Sequence, residues 1–207
     1  MDQGLRSIIE AGTAFDHFDH DGLGVLVAQG MAGKIDVLIG TFSKTFASIG
    51  GFVATQHEGF RTALRACCGP QTFTNAMTPI QASVVLETLK LVQSREGERR
   101  RVRMLENATR LRHALESEGF TVLGQPSAIV PVIVGDSGLA RRMTNEMISM
   151  GAIVNLVEAP AVAKNQSRWR LQVMADHTDE DIAEFVKIAV AARAALTTPQ
   201  DKIPEIA

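Results

Sequence analysis

Residues 35–54 read IDVLIGTFSKTFASIGGFVA, and this stretch is the strongest indication of the fold. Its two apolar runs, at 35–39 and 51–55, have the length and composition of strands. Apart from Asp36 and Thr55 near their ends, both runs are apolar, so they predict strands around residues 37 and 53 that are covered on both faces of a sheet. Strands and helical segments alternate along the rest of the chain, which predicts the α/β fold class.

Two hydroxyls and a lysine follow the first of these strands: Thr41, Ser43 and Lys44. In open α/β sheets ligands bind at the carboxyl ends of strands, so we expect a site in this loop. Thr41 and Ser43 can donate hydrogen bonds to phosphate oxygens. Lys44 can remain a solvated ammonium, which is the commoner outcome, or act as an amine that condenses with an aldehyde. Gly50 and Gly51 allow the backbone to turn closely past this site.

The rest of the chain adds further elements. Apolar runs predict strands at 128–134, 152–157 and 169–174. Apolar residues at helical spacing predict helices at 79–118 with a break near Gly97, at 136–150, and around 182–190. Gly119 and Gly151 are expected to end two of these helices, and Thr178 with Asp181 to cap the third.

The long helical segment places a domain boundary near residue 100, because such a helix usually connects two layers or domains. We therefore predict one domain at 1–100, a second at 101–196, and a loosely held tail at 197–207 that contains two prolines.

Composition and charge exclude several classes of protein. The 207 residues carry a net charge of −2 without a basic stripe, so we expect no nucleic-acid partner. We expect no membrane span and no secretory signal, and hence a cytoplasmic protein. The adjacent Cys67 and Cys68 lack the spacing of a zinc site, and we expect buried free thiols at the end of a helix.

The segment 35–54 resembles the lysine segment of the α-oxoamine synthases, which include serine palmitoyltransferase, 8-amino-7-oxononanoate synthase and glycine C-acetyltransferase. These enzymes depend on pyridoxal 5'-phosphate and have the aminotransferase-like fold. The resemblance implies that Lys44 carries the cofactor as a Schiff base and that Thr41 and Ser43 contact it. It also implies that 1–100 is the C-terminal portion of the large cofactor domain, a mostly parallel sheet, and that 101–196 is a smaller α+β domain.

Two downstream segments are also similar to the family. FTNAMTP at 73–79 resembles the segment that reaches the cofactor phosphate of the neighbouring subunit, which implies that role for Thr74 and a homodimer. A capping role for Thr74 is an equal alternative. RLQVMADHT at 170–178 resembles the segment whose arginine binds the amino acid carboxylate, which implies that role for Arg170. The alternative for Arg170 is a salt-bridged strand residue, and we expect His177 to be structural.

The chain departs from the family in three places. It matches only the C-terminal half, so the half that supplies a histidine stacked on the cofactor ring has no counterpart. The family's Asp-x-x-His element, whose aspartate pairs with the ring nitrogen and whose histidine contacts the ring hydroxyl, is missing, since Phe18 and Asp21 stand at its positions. The histidines and aspartates of residues 16–21 offer a metal site as a less favoured alternative to a solvated segment. Glu158 stands where the family has arginine in the loop before Arg170.

The resemblance implies a truncated acyltransferase that condenses an amino acid with an acyl-CoA or acyl carrier protein thioester. One alternative is an aminotransferase, although this chain has no tyrosine to contact the cofactor's ring oxygen. The other is a catalytically inactive fragment or interaction subunit, which the missing half of the cofactor pocket favours.

Overall fold

The computed structural model describes residues 8–10, 26, 30–31 and 33–197. The chain divides into two compact units, Met1–Arg101 and Val102–Ala207. Residues 16–21, for which the sequence offered a metal site, lie outside the described residues, as does the predicted tail beyond residue 197.

A three-stranded sheet with the order β1-β2-β3 lies in the first unit. The strands are β1 (Ile8–Glu10), β2 (Val37–Thr41) and β3 (Gly51–Thr55). β1 pairs with β2 in parallel, and β2 pairs with β3 antiparallel, with Val37 opposite Thr55 and Thr41 opposite Gly51. Both β1 and β3 are therefore edge strands among the described residues.

The sheet is followed by helices α1 (Glu58–Cys67), α2 (Gly69–Phe73) and α3 (Pro79–Val92), and by the start of α4 (Arg95–Ser117). α3 begins as predicted, because Thr78 and Gln81 form a reciprocal capping box ahead of Pro79. The predicted break near Gly97 lies at residues 93–94 instead, and Ser94 Oγ accepts a hydrogen bond from the Gly97 amide at 3.2 Å. Gly97 is needed because a Cβ there would lie 2.3 Å from the Leu91 carbonyl oxygen.

Two burial predictions for the first unit are wrong. The strands around residues 37 and 53 were expected to be covered on both faces, yet Ile39 and Val53 are exposed and β3 contains no buried residue. The described part of the chain supplies no layer over that face. Cys67 was expected to be buried at the end of a helix; it does end α1 as a free thiol, but it is exposed.

The second unit contains a four-stranded sheet with the order β4-β5-β7-β6, in which every pairing is antiparallel. The strands are β4 (Thr121–Val122), β5 (Ile129–Gly135), β6 (Leu156–Val157) and β7 (Ser167–Gln172), and the helices are the rest of α4, α5 (Ser137–Ser149) and α6 (Asp179–Thr197). Side chains alternate along β7: Trp169 and Leu171 are buried, whereas Arg168 and Arg170 are half-buried. The core on the buried face includes residues of all three helices, Leu115, Met147 and Ala189 among them.

Several predicted elements of this unit are confirmed. Asp136 caps α5, and Gly151 follows its end with a φ of 97°. Thr178 and Asp181 exchange hydrogen bonds at the start of α6. The prediction of a strand over 152–157 is wrong for most of its length, because only Leu156 and Val157 pair with β7. Together the two units confirm the α/β fold class.

Candidate functional site

Lys44 lies in the loop of residues 42–50 that connects β2 to β3. Backbone hydrogen bonds close the base of this loop: the Phe42 amide donates to Gly50 and the Ser48 amide donates to Phe42, each at 2.9 Å. At the tip, the Ala47 amide donates to the Lys44 carbonyl at 2.9 Å. These bonds hold the Lys44 backbone in one turn although the residue itself is exposed.

Three phenylalanines pack together at the lysine loop: two belong to the loop itself and one to β3. The Phe42 ring lies 5.3 Å from the Phe46 ring in an edge-to-face arrangement and 5.6 Å from the Phe52 ring. Phe46 is buried, although it lies only two residues from Lys44. The three residues between Phe42 and Phe46, which include Lys44, are exposed, so the loop presents the lysine on the side away from the aromatic rings.

The hydroxyls of Thr41 and Ser43 lie together beside the lysine. Their oxygens are 2.8 Å apart, and Thr41 Oγ1 also accepts a hydrogen bond from the Ser43 amide at 3.2 Å. Ser43 is exposed and Thr41 is half-buried, so the pair can turn toward an outside acceptor. The Lys44 side chain has no ion pair or hydrogen bond with any described residue.

Gly50 and Gly51 bring the two strands close together, as the sequence led us to expect. Gly50 has a φ of 87°, which disfavours any residue with a side chain. At Gly51 a Cβ would lie 2.3 Å from the Gly40 carbonyl oxygen, which is too close for any side chain. The glycine pair is therefore required by the backbone geometry of the lysine loop.

A contact that sequence reasoning missed ties this loop to α3. Ser48 Oγ donates a hydrogen bond to the Gln81 carbonyl at 3.2 Å, and Gln81 belongs to the capped first turn of the helix. The two residues are 33 positions apart, and no local pattern connects a loop serine to a distant carbonyl. The start of α3 thus helps to hold the lysine loop.

The donor set of the loop fits part of pyridoxal phosphate. Two neighbouring hydroxyls suit the phosphate, a lysine amine without a partner among the described residues suits the aldehyde, and the glycines allow close approach of the backbone. Phe18 stands where the family has the aspartate that pairs with the ring nitrogen, and Asp21 where it has the histidine that contacts the ring hydroxyl; both lie outside the described residues. The loop therefore fits the phosphate and aldehyde ends of the cofactor.

Thr74 is exposed at the C-terminal end of α2. Its side chain makes no hydrogen bond with any described residue, and Thr78 rather than Thr74 caps the following helix. Thr74 occupies the C-cap position of α2, which agrees with the alternative of a capping residue, although its side chain bonds to no described residue.

Arg170 lies in the second unit, at the middle of β7, with its amide donating to the Asn155 carbonyl at 2.8 Å. Its guanidinium has no ion pair or hydrogen bond within the described part of the chain, so the salt-bridged alternative is wrong there. Arg170 lines a cavity of about 280 Å³ that lies entirely within this unit. Lys44 does not line that cavity, whose other walls include Asn155, His177 and Phe185.

His177 lies where β7 leads into α6. Its Nδ1 accepts a hydrogen bond from the Met174 amide at 3.3 Å, and its carbonyl accepts one from Asn107 Nδ2 at 2.8 Å. The neighbouring Asp181 has a lowered pKa because the Thr178 amide, and then its hydroxyl, donate to the carboxylate. These contacts give His177 the structural role expected from the sequence.

Glu158, which stands where the family has arginine, forms an ion pair with Arg141 of α5. Arg141 Nη2 and Nε both donate to the carboxylate, the former at 2.8 Å. This hydrogen bonding holds the pKa of Glu158 below its usual value and raises that of Arg141. Sequence reasoning identified Glu158 but not its partner, which lies 17 residues earlier.

Among the described residues no cluster of three metal-ligating side chains is present, and no helix is long and apolar enough to cross a membrane.

Comparisons with known proteins agree with the geometry. The family described as aminotransferase class I and II matches residues 11–188. Serine palmitoyltransferase of Sphingomonas paucimobilis is 32% identical over 192 residues, which cover 91% of this chain and 45% of that protein. The 8-amino-7-oxononanoate synthase of a Marinomonas species is 31% identical over 163 residues, covering 78% of this chain and 40% of that one.

A third relative and a solved structure extend these matches. The 2-amino-3-ketobutyrate coenzyme A ligase of Escherichia coli is 32% identical and covers 75% of this chain. A high-resolution structure of SPT with PLP superposes with a TM-score of 0.85 at 30% identity, covering 93% of this chain and 48% of that one. The chain thus spans about half the length of the relatives it matches.

Proposed function

The chain belongs to the aminotransferase class I and II family, and on that premise we propose that it is part of a pyridoxal-phosphate-dependent acyltransferase of the α-oxoamine synthase type. Such an enzyme condenses an amino acid with an acyl thioester. The relatives matched along most of this chain are named as enzymes of that kind, which favours it over an aminotransferase.

The observation that carries this proposal is the lysine loop. In it, Lys44 has no side-chain partner among the described residues and stands beside the paired hydroxyls of Thr41 and Ser43. Bound pyridoxal phosphate would supply an aldehyde and an electron-accepting ring. Lys44 Nζ would hold that aldehyde covalently, with loss of water, and once the substrate amine has taken its place the released Nζ would accept the α-proton of the amino acid. The Thr41 and Ser43 hydroxyls would donate to the phosphate, and Thr74 would reach the phosphate in the neighbouring subunit.

The proposal extends to the organisation of the enzyme. Residues 1–100 would form the C-terminal portion of the cofactor domain, 101–196 the small domain and 197–207 a tail. The enzyme would act as a cytoplasmic homodimer on an amino acid and an acyl-CoA or acyl carrier protein thioester. Because the chain spans about half the length of its relatives, an inactive fragment is the competing proposal.

Release of free thiol tests the reaction. The purified chain is mixed with pyridoxal phosphate, an acyl-CoA, and serine, alanine or glycine in turn, and the thiol is measured with a colorimetric reagent. The acyltransferase requires thiol release that depends on both the amino acid and the cofactor. Formation of a keto acid without thiol, with the amino group transferred to the added cofactor, would indicate an aminotransferase. Absence of both the thiol and the keto acid would indicate the inactive fragment.

Replacement of Arg170 by glutamine is expected to raise KM for the amino acid by about 10- to 100-fold, because a bidentate, charge-assisted carboxylate contact is worth a few kcal/mol. KM for the acyl-CoA should change less than about twofold, since the arginine would not contact it. Initial-rate kinetics with each substrate varied in turn measure both values.

Arg168→Gln is the matched control, because Arg168 lies two residues away on the same half-buried face of β7. An Arg170→Gln enzyme with an unchanged amino acid KM, or with the same change as Arg168→Gln, would remove Arg170 from the carboxylate site.

A further inference from the structure

Ala47, three residues after Lys44, has a backbone conformation that residues with a side chain rarely adopt. Its φ is 48°, in the left-handed region, where the Cβ atom crowds the following carbonyl oxygen. The Ala47 amide donates to the Lys44 carbonyl at 2.9 Å, so the turn that carries the lysine ends on this residue. Because a left-handed alanine is unfavourable by itself, contacts elsewhere must hold it in place.

The residues on either side of Ala47 supply such contacts. Phe46 is buried and packs edge-to-face against Phe42. Ser48 is held twice: its amide donates to the Phe42 carbonyl at 2.9 Å, and its Oγ donates to the Gln81 carbonyl at 3.2 Å. A residue fixed on both sides cannot return to a negative φ without disturbing one of these contacts.

The acceptor of the Ser48 hydroxyl is itself fixed in place. Gln81 lies in the first turn of α3, where its amide donates to the Thr78 hydroxyl at 3.3 Å and its side chain accepts from the Thr78 amide at 3.1 Å. Pro79 at the first position of the helix further restricts the backbone there. Ser48 therefore ties the lysine loop to a helix start whose own geometry is set by a capping box.

We propose that Ser48 is a positioning residue of the lysine site. Its bond to α3 keeps Ala47 in the left-handed conformation, and the resulting turn holds Lys44 beside the hydroxyl pair of the loop. Without that bond the loop would populate turns in which Ala47 has a negative φ and the lysine is displaced, so the apparent affinity for the cofactor would fall. The inference rests on the proposed attachment of the cofactor to Lys44.

Hydrogen exchange, followed by nuclear magnetic resonance, tests the coupling without cofactor. The amide at position 47 reports opening of the turn, because it donates to the Lys44 carbonyl. Ser48→Ala should lower its protection about fivefold through loss of one hydrogen bond, whereas Ser48→Thr keeps the hydroxyl and should stay within about twofold. Adding Ala47→Gly to Ser48→Ala should restore the protection, because glycine adopts a positive φ without steric cost.

Labelling by pyridoxal phosphate shows whether the turn matters at the lysine. The cofactor concentration that labels half of Lys44 after borohydride reduction should rise about two- to fivefold in Ser48→Ala, and should fall again when Ala47→Gly is added. Ser83→Ala is the matched control, because the Ser83 hydroxyl donates to the Pro79 carbonyl at 2.9 Å within the same helix and not to the loop. It should leave both measurements unchanged.

Equal protection of the position-47 amide in Ser48→Ala and Ser83→Ala would overturn the inference, and so would lower protection with unchanged labelling of Lys44. If Ala47→Gly restored neither quantity, the left-handed alanine would not be what the Ser48 bond opposes, and the inference would also fall. Failure of the proposed attachment looks different, since the unchanged chain would then carry no label on Lys44. The exchange rates would in that case still show whether Ser48 holds the turn.

Discussion

Lys44→Ala is expected to abolish covalent attachment of pyridoxal phosphate to this chain. A phosphate held by the paired Thr41 and Ser43 hydroxyls would keep the cofactor aldehyde near Lys44, the next residue of the loop, and so favour a bond there over bonds to other amines. The unchanged chain, mixed with millimolar cofactor, should absorb above about 400 nm and should carry the label on Lys44 after borohydride reduction and peptide mapping. The variant should show neither signal.

Lys34→Ala is the control for non-specific modification, since Lys34 is an exposed lysine just before β2 in the same unit. It should retain the absorbance and the Lys44 label in full. Label spread over several lysines in the unchanged chain, or label that persists in Lys44→Ala, would contradict the assignment of Lys44. Absence of any label would favour the inactive fragment.

The sequence predicts the lysine loop well because its determinants are local. The hydroxyls, the lysine and the glycine pair all lie within residues 41–51, and the backbone geometry at Gly50 and Gly51 follows from their lack of a side chain. Contacts between distant segments could not be predicted in this way. The bond from Ser48 to the Gln81 carbonyl and the Arg141–Glu158 ion pair depend on how helices pack, which no spacing along the chain encodes.

The helices and strands, too, are predicted correctly only where their determinants are local. Helices with clear caps, such as α3 after Thr78 and α5 after Asp136, begin where the sequence predicts. The apolar run at 152–157 yields only a two-residue strand, because Ala152 and Val154 pack into the core without pairing with β7. An apolar run reports burial, and burial alone does not distinguish a paired strand from a packed loop. At β3 the apolar run does not report burial either, because none of its residues is buried by the described part of the chain.

The core of the second unit depends strongly on a single aromatic residue. Trp169 is fully buried at the centre of β7, packs with its ring centroid 6.1 Å from that of Phe120, and is the chain's only tryptophan. Its indole Nε1 donates a hydrogen bond to Thr144 Oγ1 of α5 at 2.9 Å, so it links the sheet to the helix layer through a buried polar contact. Large aromatic side chains in such positions carry much of the packing free energy of a small domain.

Trp169→Ala is therefore expected to lower the free energy of unfolding of the second unit by about 3–5 kcal/mol, because it leaves a large cavity. Thr144→Val should cost less, about 1–3 kcal/mol, since it preserves the packing but leaves the buried indole N–H without an acceptor. Urea unfolding followed by far-ultraviolet circular dichroism measures all three proteins, and tryptophan fluorescence provides a second probe for the unchanged chain and Thr144→Val. Equal midpoints for Trp169→Ala and the unchanged chain would show that the core does not depend on this residue. A larger loss of unfolding free energy for Thr144→Val than for Trp169→Ala would contradict the expected order. It would assign the dominant contribution to the hydrogen bond and not to packing.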